Sequence, residues 1–187
     1  MMNAKAAIAC EGVTFSYFEN AKPVLEKVSL SIPEGKITVM MGSSGCGKST
    51  LVSVLCGLLP ENGGYLTQGS IRLYGEDLSG MSPDVRAGYV SMMFQNPDLQ
   101  FCMTTLREEL EFCMENIRIP KEEMEERLLL ASRIMGTDHL LDRELFSLSG
   151  GEKQLAVLTC IYLLDAKCIL LDEPFANLDP DGVSRLM

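Results

Sequence analysis

The chain has 187 residues, 47% of them hydrophobic and 22% charged, which suits one globular domain with a core of its own and excludes an extended, disordered chain. A formal net charge of −10 and a pI of about 4.6 argue against nucleic-acid partners, because phosphate contacts are made by Lys and Arg. The seven cysteines show no C-x-x-C spacing and only one histidine accompanies them, so no zinc site is indicated and reduced core thiols are the plain reading.

The N-terminus carries no charged-then-apolar signal pattern, and no apolar run is long enough to cross a bilayer. The expectation is a soluble protein, or one held at a membrane only by partners. Residues 7–11, 13–17 and 25–32 read as short strands, with turn signals at Asn20-Ala21-Lys22-Pro23 and Pro33-Glu34-Gly35. They predict a small antiparallel sheet. Tyr17 stands near the end of one strand, either as an ordinary strand aromatic or as a ring to stack on a purine.

Residues 36–41 read as a buried strand and 51–59 as a helix. Between them lies Gly42-Ser43-Ser44-Gly45-Cys46-Gly47-Lys48-Ser49-Thr50, which fits the phosphate-loop pattern G-x-x-x-x-G-K-[ST]. Glycines let the backbone curl so that N–H groups face phosphate oxygens, and the helix N-terminus adds partial positive charge. Lys48 is the residue to reach the β- and γ-phosphates, and Ser49 the one to ligate Mg²⁺.

Further on, 60–64 reads as a loop, 70–74 as a strand and 90–94 as a second apolar run. Asn96-Pro97 ends regular structure there. Residues 104–135 look helical. Thr105 and Glu108 form a capping box, Pro120 suits the first position of a second helix, and Gly136 suits its end. Met124, Leu128, Ala131 and Met135 make one packing stripe. The segment Leu148-Ser149-Gly150-Gly151-Glu152-Lys153-Gln154 opens an apolar helix with a second capping box, Ser149 and Glu152. Its paired glycines weaken a first turn and imply close approach of backbone to something. Residues 168–171 read as a buried strand ending in Asp172 and Glu173. Asp172 can hold Mg²⁺, and Glu173 can polarise an attacking water.

Taken in order, the phosphate loop, LSGGEKQ at 148–154 and ILLDEP at 169–174 resemble an ATP-binding cassette (ABC) ATPase over essentially the whole chain. The resemblance implies an α/β P-loop NTPase core with a mainly parallel sheet. To that core belong an N-terminal antiparallel β-subdomain and a helical subdomain inserted at 98–147. By position, Tyr17 matches the aromatic that stacks on adenine, and Gln95 the glutamine that senses Mg²⁺ and the γ-phosphate. Ser149, Gly150 and Gly151 match the signature that touches ATP held by an opposite subunit. Asp172 and Glu173 match the Mg²⁺ ligand and the general base, and 176–179 resembles the D-loop at the dimer interface.

Phe94-Gln95-Asn96-Pro97-Asp98 with Gln100-Phe101 is similar to the energy-coupling-factor group, whose ATPases power uptake of vitamins and of metal ions such as cobalt and nickel. That implies ATP and Mg²⁺ as cofactors and a head-to-tail dimer with an identical or paralogous cassette. It also implies a transmembrane subunit docked near 95–100 and a place on the cytoplasmic face of the cell membrane. A soluble ABC ATPase, or a nucleotide-binding fragment without turnover, are the competing expectations. The sequence departs from the family pattern twice. Leu155 stands where the family has Arg, and only 14 residues follow Glu173, which leaves the family's switch histidine without a counterpart, since His139 lies upstream of the signature. The expectation is a C-terminally truncated domain that turns over ATP negligibly and is poorly soluble.

Overall fold

The structure, a computed structural model, describes residues 5–174. The chain divides into two compact units, 1–90 and 91–187.

In the first unit β1 (Ala6–Ser16) sits between β2 (Leu25–Pro33) and β3 (Tyr65–Leu73), antiparallel to both, and the short β4 (Glu76–Asp77) extends the β3 edge. This is the expected antiparallel sheet, with one correction. The runs 7–11 and 13–17 are a single strand, because Gly12, at φ 60°, takes up a bulge between Cys10 and Val13 without ending the ladder. Gly69 of β3 passes that bulge so closely that a Cβ would lie 2.6 Å from the Glu11 carbonyl oxygen and the Val13 nitrogen. Ile8, Val13, Phe15 and Leu73 are fully buried in this unit. The strand expected at 70–74 is the second half of β3.

Helix α1 (Lys48–Leu55) starts three residues earlier than the pattern 51–59 indicated and stops sooner, as Gly57 turns to φ 78°. Helix α2 (Pro83–Ala87) places Arg86 over Gly57, with both guanidinium ends on the Glu61 carboxylate at 2.8 and 2.6 Å. That pair ties α2 to the turn following α1.

The larger correction concerns 36–41. It is not a strand, and Ile37, Val39 and Met41 are 96%, 76% and 88% exposed. An apolar run becomes a strand only when a neighbour satisfies its backbone groups. Among the described residues none pairs with it.

Strand β5 (Val90–Met93), all but its first residue in the second unit, pairs with β6 (Cys168–Leu171). Only Leu170 of β6 is buried, so this strand is less covered than its apolar sequence indicated. Between the two strands run α3 (Leu106–Asn116), α4 (Lys121–Met135) and α5 (Gly150–Leu164). Both expected capping boxes are present: Thr105 with Glu108 starts α3, and Ser149 with Glu152 starts α5. Pro120 lies one position earlier than expected, just before α4, and Gly136 ends that helix at φ 68°. Leu110, Met114, Leu128, Leu140 and Leu145 are wholly buried with Ala156 in one cluster that joins the three helices. Met93, Met135, Val157, Leu158 and Ile161 form a second, against which Leu171 packs. Leu128, Ala131 and Met135 are thus the packing stripe that their spacing predicted, while Glu122, Glu126 and Arg133 are exposed.

Candidate functional site

The phosphate loop is built by backbone conformation. Gly47 precedes α1 at φ 97°, a left-handed geometry that strains any other residue, and a Cβ there would lie 3.3 Å from Leu25 Cδ2 and 3.4 Å from the Val24 carbonyl. No side chain caps α1 at this end. Helix geometry leaves its first N–H groups without intrahelical acceptors, and such groups can donate to an anion. Lys48 Nζ donates to the carbonyls of Gly42 at 2.9 Å and Ser43 at 2.8 Å, which curls the loop around the ammonium. Gly45, at φ 75°, makes the intervening turn with Ser44 and Cys46. Ser49 is exposed beside the buried Thr50, whose hydroxyl lies 2.9 Å from the Tyr17 hydroxyl. The half-exposed Tyr17 ring stands edge-on to Phe15 at 5.2 Å. One face of the ring is therefore a strand aromatic's packing face, and its polar end is tied to α1.

The second unit holds the carboxylates. The Asp172 N–H donates to the Met93 carbonyl at 3.1 Å, which aligns the ends of β5 and β6. One step beyond, Gln95 Nε2 donates to Glu173 Oε2 at 2.8 Å. Residues 78 apart in sequence thus meet where two neighbouring strands end. Asp172 is buried, Glu173 is exposed, and Glu173 has φ 53°. A non-glycine residue held at such an angle stores strain of about 1–3 kcal/mol, and such residues gather at functional sites.

Ser149, Gly150 and Gly151 open α5. The Ser149 hydroxyl accepts from the Glu152 N–H at 3.4 Å, while the Ser149 N–H and hydroxyl donate to Glu152 Oε2 at 2.7 and 2.8 Å. The Ser149 backbone N–H, then its hydroxyl, then Arg143 at 2.9 Å hold the Glu152 carboxyl below its ordinary pKa. With Leu155 in place of Arg, the ion pairs of the α5 entry are Arg143–Glu152 and Lys153–Asp98, the latter at 2.7 Å. Sequence reasoning did not find Asp98–Lys153, nor the two backbone bonds of Gln100. Gln100 Oε1 accepts from the Phe94 N–H at 2.7 Å, and its Nε2 donates to the Met92 carbonyl at 2.9 Å. For the Asp98–Lys153 pair the available signal was a charged residue inside each motif. Nor did it find Glu109, a buried carboxylate that accepts the N–H groups of Cys102 and Met103 at 2.8 Å each.

Of the residues expected at the site, Tyr17 and 42–50 lie in the first unit. Gln95, Ser149, Gly150, Gly151, Asp172 and Glu173 lie in the second. Residues 176–179 lie outside the described residues. Among the described residues no cluster of three or more His, Cys, Asp or Glu side chains forms a metal cage. Ser49 in the first unit and Asp172 in the second each carry a hard oxygen donor.

The family model for the ABC transporter matches residues 25–176. The chain belongs to the ABC transporter family. It is 39% identical, over 92% of its length, to an energy-coupling factor transporter ATP-binding protein of Halalkalibacterium halodurans, of which it covers 60%. To the protein of that name from Bacillus licheniformis it is 38% identical over its whole length, covering 65%. Its fold is similar, with a TM-score of 0.79 and 26% identity, to cbiO1 from Clostridium perfringens, described as part of the ABC transporter complex cbiONQ. That match covers 97% of this chain and 71% of the other. Other relatives are longer, and the chain spans 32–35% of them. The fold is therefore the mixed α/β cassette of ABC ATPases, with an antiparallel N-terminal sheet and a parallel sheet. Among the described residues no helix is long and apolar enough to cross a membrane.

Proposed function

We propose that this cassette binds and hydrolyses ATP to drive an importer of the energy-coupling-factor kind, taking up a vitamin or a metal ion. The observation that carries the reading is the 2.8 Å contact between Gln95 and Glu173 at the ends of β5 and β6. Among the described residues the buried clusters give no use to a glutamine and a strained, exposed glutamate there. Hydrolysis does, because a water must be oriented and lose a proton.

The roles follow from the chemistry of each group. The N–H groups of 42–50 cradle the phosphates. Lys48 exchanges its two carbonyl acceptors for the β- and γ-phosphate oxygens, and Tyr17 offers its exposed ring to the adenine. Ser49, Gln95 and Asp172 are the groups that would hold Mg²⁺, which would supply positive charge against the leaving phosphate. Glu173 takes the proton of the attacking water, and Gln95 orients both Glu173 and that water. Ser149, Gly150 and Gly151 serve ATP held by a second cassette, identical or paralogous, in a head-to-tail dimer. The segment 95–100 meets a transmembrane subunit, which places the cassette at the cytoplasmic face of the membrane. The likeness to energy-coupling factor ATP-binding proteins supports the importer reading.

The test is single-turnover hydrolysis and nucleotide affinity of the full-length protein. Glu173→Gln is expected to keep ATP binding and slow hydrolysis by about 10²–10⁴-fold, the usual worth of a general base. Lys48→Ala is expected to weaken binding instead. Normal hydrolysis by Glu173→Gln overturns the reading.

A further inference from the structure

Met92, Met93 and Phe94 form the end of β5 and the residue after it. The Met93 carbonyl points to β6 and accepts the Asp172 N–H. In an extended chain the carbonyl of one residue and the N–H two residues later point to the same edge, the reverse of the residue between. The Met92 carbonyl and the Phe94 N–H therefore face the edge away from β6. Both are taken by the carboxamide of Gln100, at 2.9 and 2.7 Å. A single side chain thus makes the two bonds that one residue of a neighbouring strand would make. It is shaped for this task, since a carboxamide, like a peptide group, offers one acceptor and one donor side by side.

The chain between is folded back to deliver that side chain. Asn96 Oδ1 accepts from the Asp98 N–H at 3.1 Å and starts a single turn, Pro97–Leu99, with Pro97 buried. Asp98 pairs with Lys153 of the first turn of α5 at 2.7 Å, and the Lys153 side chain is 15% exposed. Gln95 is the first residue to leave the strand end so clamped, and its amide is 2.8 Å from Glu173.

We propose that Gln100 is a positioning residue for hydrolysis: by bonding the edge of β5 that faces away from β6 it fixes the direction in which Gln95 leaves and so the Gln95–Glu173 contact. This rests on the hydrolytic role given to that pair above. Both ends of the Gln100 carboxamide are bonded to the β5 backbone, so its part is to hold Gln95 in place. Losing Gln100 removes both of its bonds to the end of β5, and small misplacements at reacting groups are costly in rate.

The experiment is a double-mutant cycle between Gln100→Leu and Gln95→Ala in the full-length protein, read by single-turnover ATP hydrolysis and by ATP affinity. Alone, Gln100→Leu is expected to slow hydrolysis by about ten- to a hundredfold with affinity unchanged. In the Gln95→Ala background it is expected to slow it no further, because groups that act through one another are not additive. An equal loss in both backgrounds, or no loss in either, overturns the proposal. If Gln100→Leu does not fold, Gln100→Glu serves, since it keeps an acceptor for Phe94 and loses the donor to Met92. A smaller loss, again confined to the Gln95 background, supports the proposal, and an additive one overturns it. Glu173→Gln run in the same series separates the two claims. Normal hydrolysis there removes the functional reading and this inference together, whereas slowed hydrolysis with an additive cycle removes only the inference.

Discussion

Around the phosphate loop, backbone conformation and one lysine do the organising. Gly45 and Gly47 turn to positive φ, and Lys48 gathers the Gly42 and Ser43 carbonyls, while the apolar run leading in, 36–41, is exposed. Around Gln95 and Glu173, side chains do it. Gln100 clamps the strand, Asp98 pairs with Lys153, Ser149 and Glu152 cap the helix, and two buried clusters lie beneath. A loop that wraps phosphate can be specified by local rules of φ and glycine. A pair of groups brought from distant strands needs a core to set their separation.

That contrast can be broken at the core first. Leu110 is fully buried among the three helices, so Leu110→Ala is expected to cost about 2–5 kcal/mol, measured by denaturant unfolding. A loss under 1 kcal/mol would mean that the helices do not hold this region. The α5 cap comes next, with Ser149→Ala expected to cost about 1 kcal/mol. Its pH dependence has a defined sign. The Ser149 N–H, and then its hydroxyl and Arg143, hold the Glu152 carboxyl below its usual range. The stabilisation is therefore complete above the ordinary carboxylate pKa of about 4.3 and is lost as the pH falls through the lower, folded value. Glu152→Gln should flatten that acid limb of the stability profile, and an unchanged limb would show the carboxylate to be idle.

The smallest effect is expected from Ile37→Ser. At 96% exposure Ile37 has little apolar contact to lose, and the change should stay within about 0.5 kcal/mol. A cost of several kcal/mol in the full-length protein would sharpen the comparison in another way, by showing that a strand partner covers 36–41 there.

Much of this was legible in the sequence because its causes are short-range. A hydroxyl three residues before a glutamate writes a helix start, and both capping boxes are present as read. Gly136 ends α4, and the 3.6-residue stripe on α4 is buried. The antiparallel sheet followed from short strand runs with turn signals between them, though the bulge at Gly12 joined two expected strands into one. The candidate site was legible as residue types. That a glutamine and a glutamate 78 residues apart lie within hydrogen-bonding distance was not, because it depends on the register of β5 on β6.

By itself the sequence determined the ABC family and the starts of α3 and α5, since each is set by residue identity or by contacts within a turn or two. Only the tertiary structure decided that Gln100 bonds the β5 backbone, that Asp98 meets Lys153, and that among the described residues no strand pairs with 36–41. Those depend on which backbone groups a distant segment leaves unpaired. A strand pattern records how well a residue fits a sheet and says nothing about whether a neighbour is there to bond.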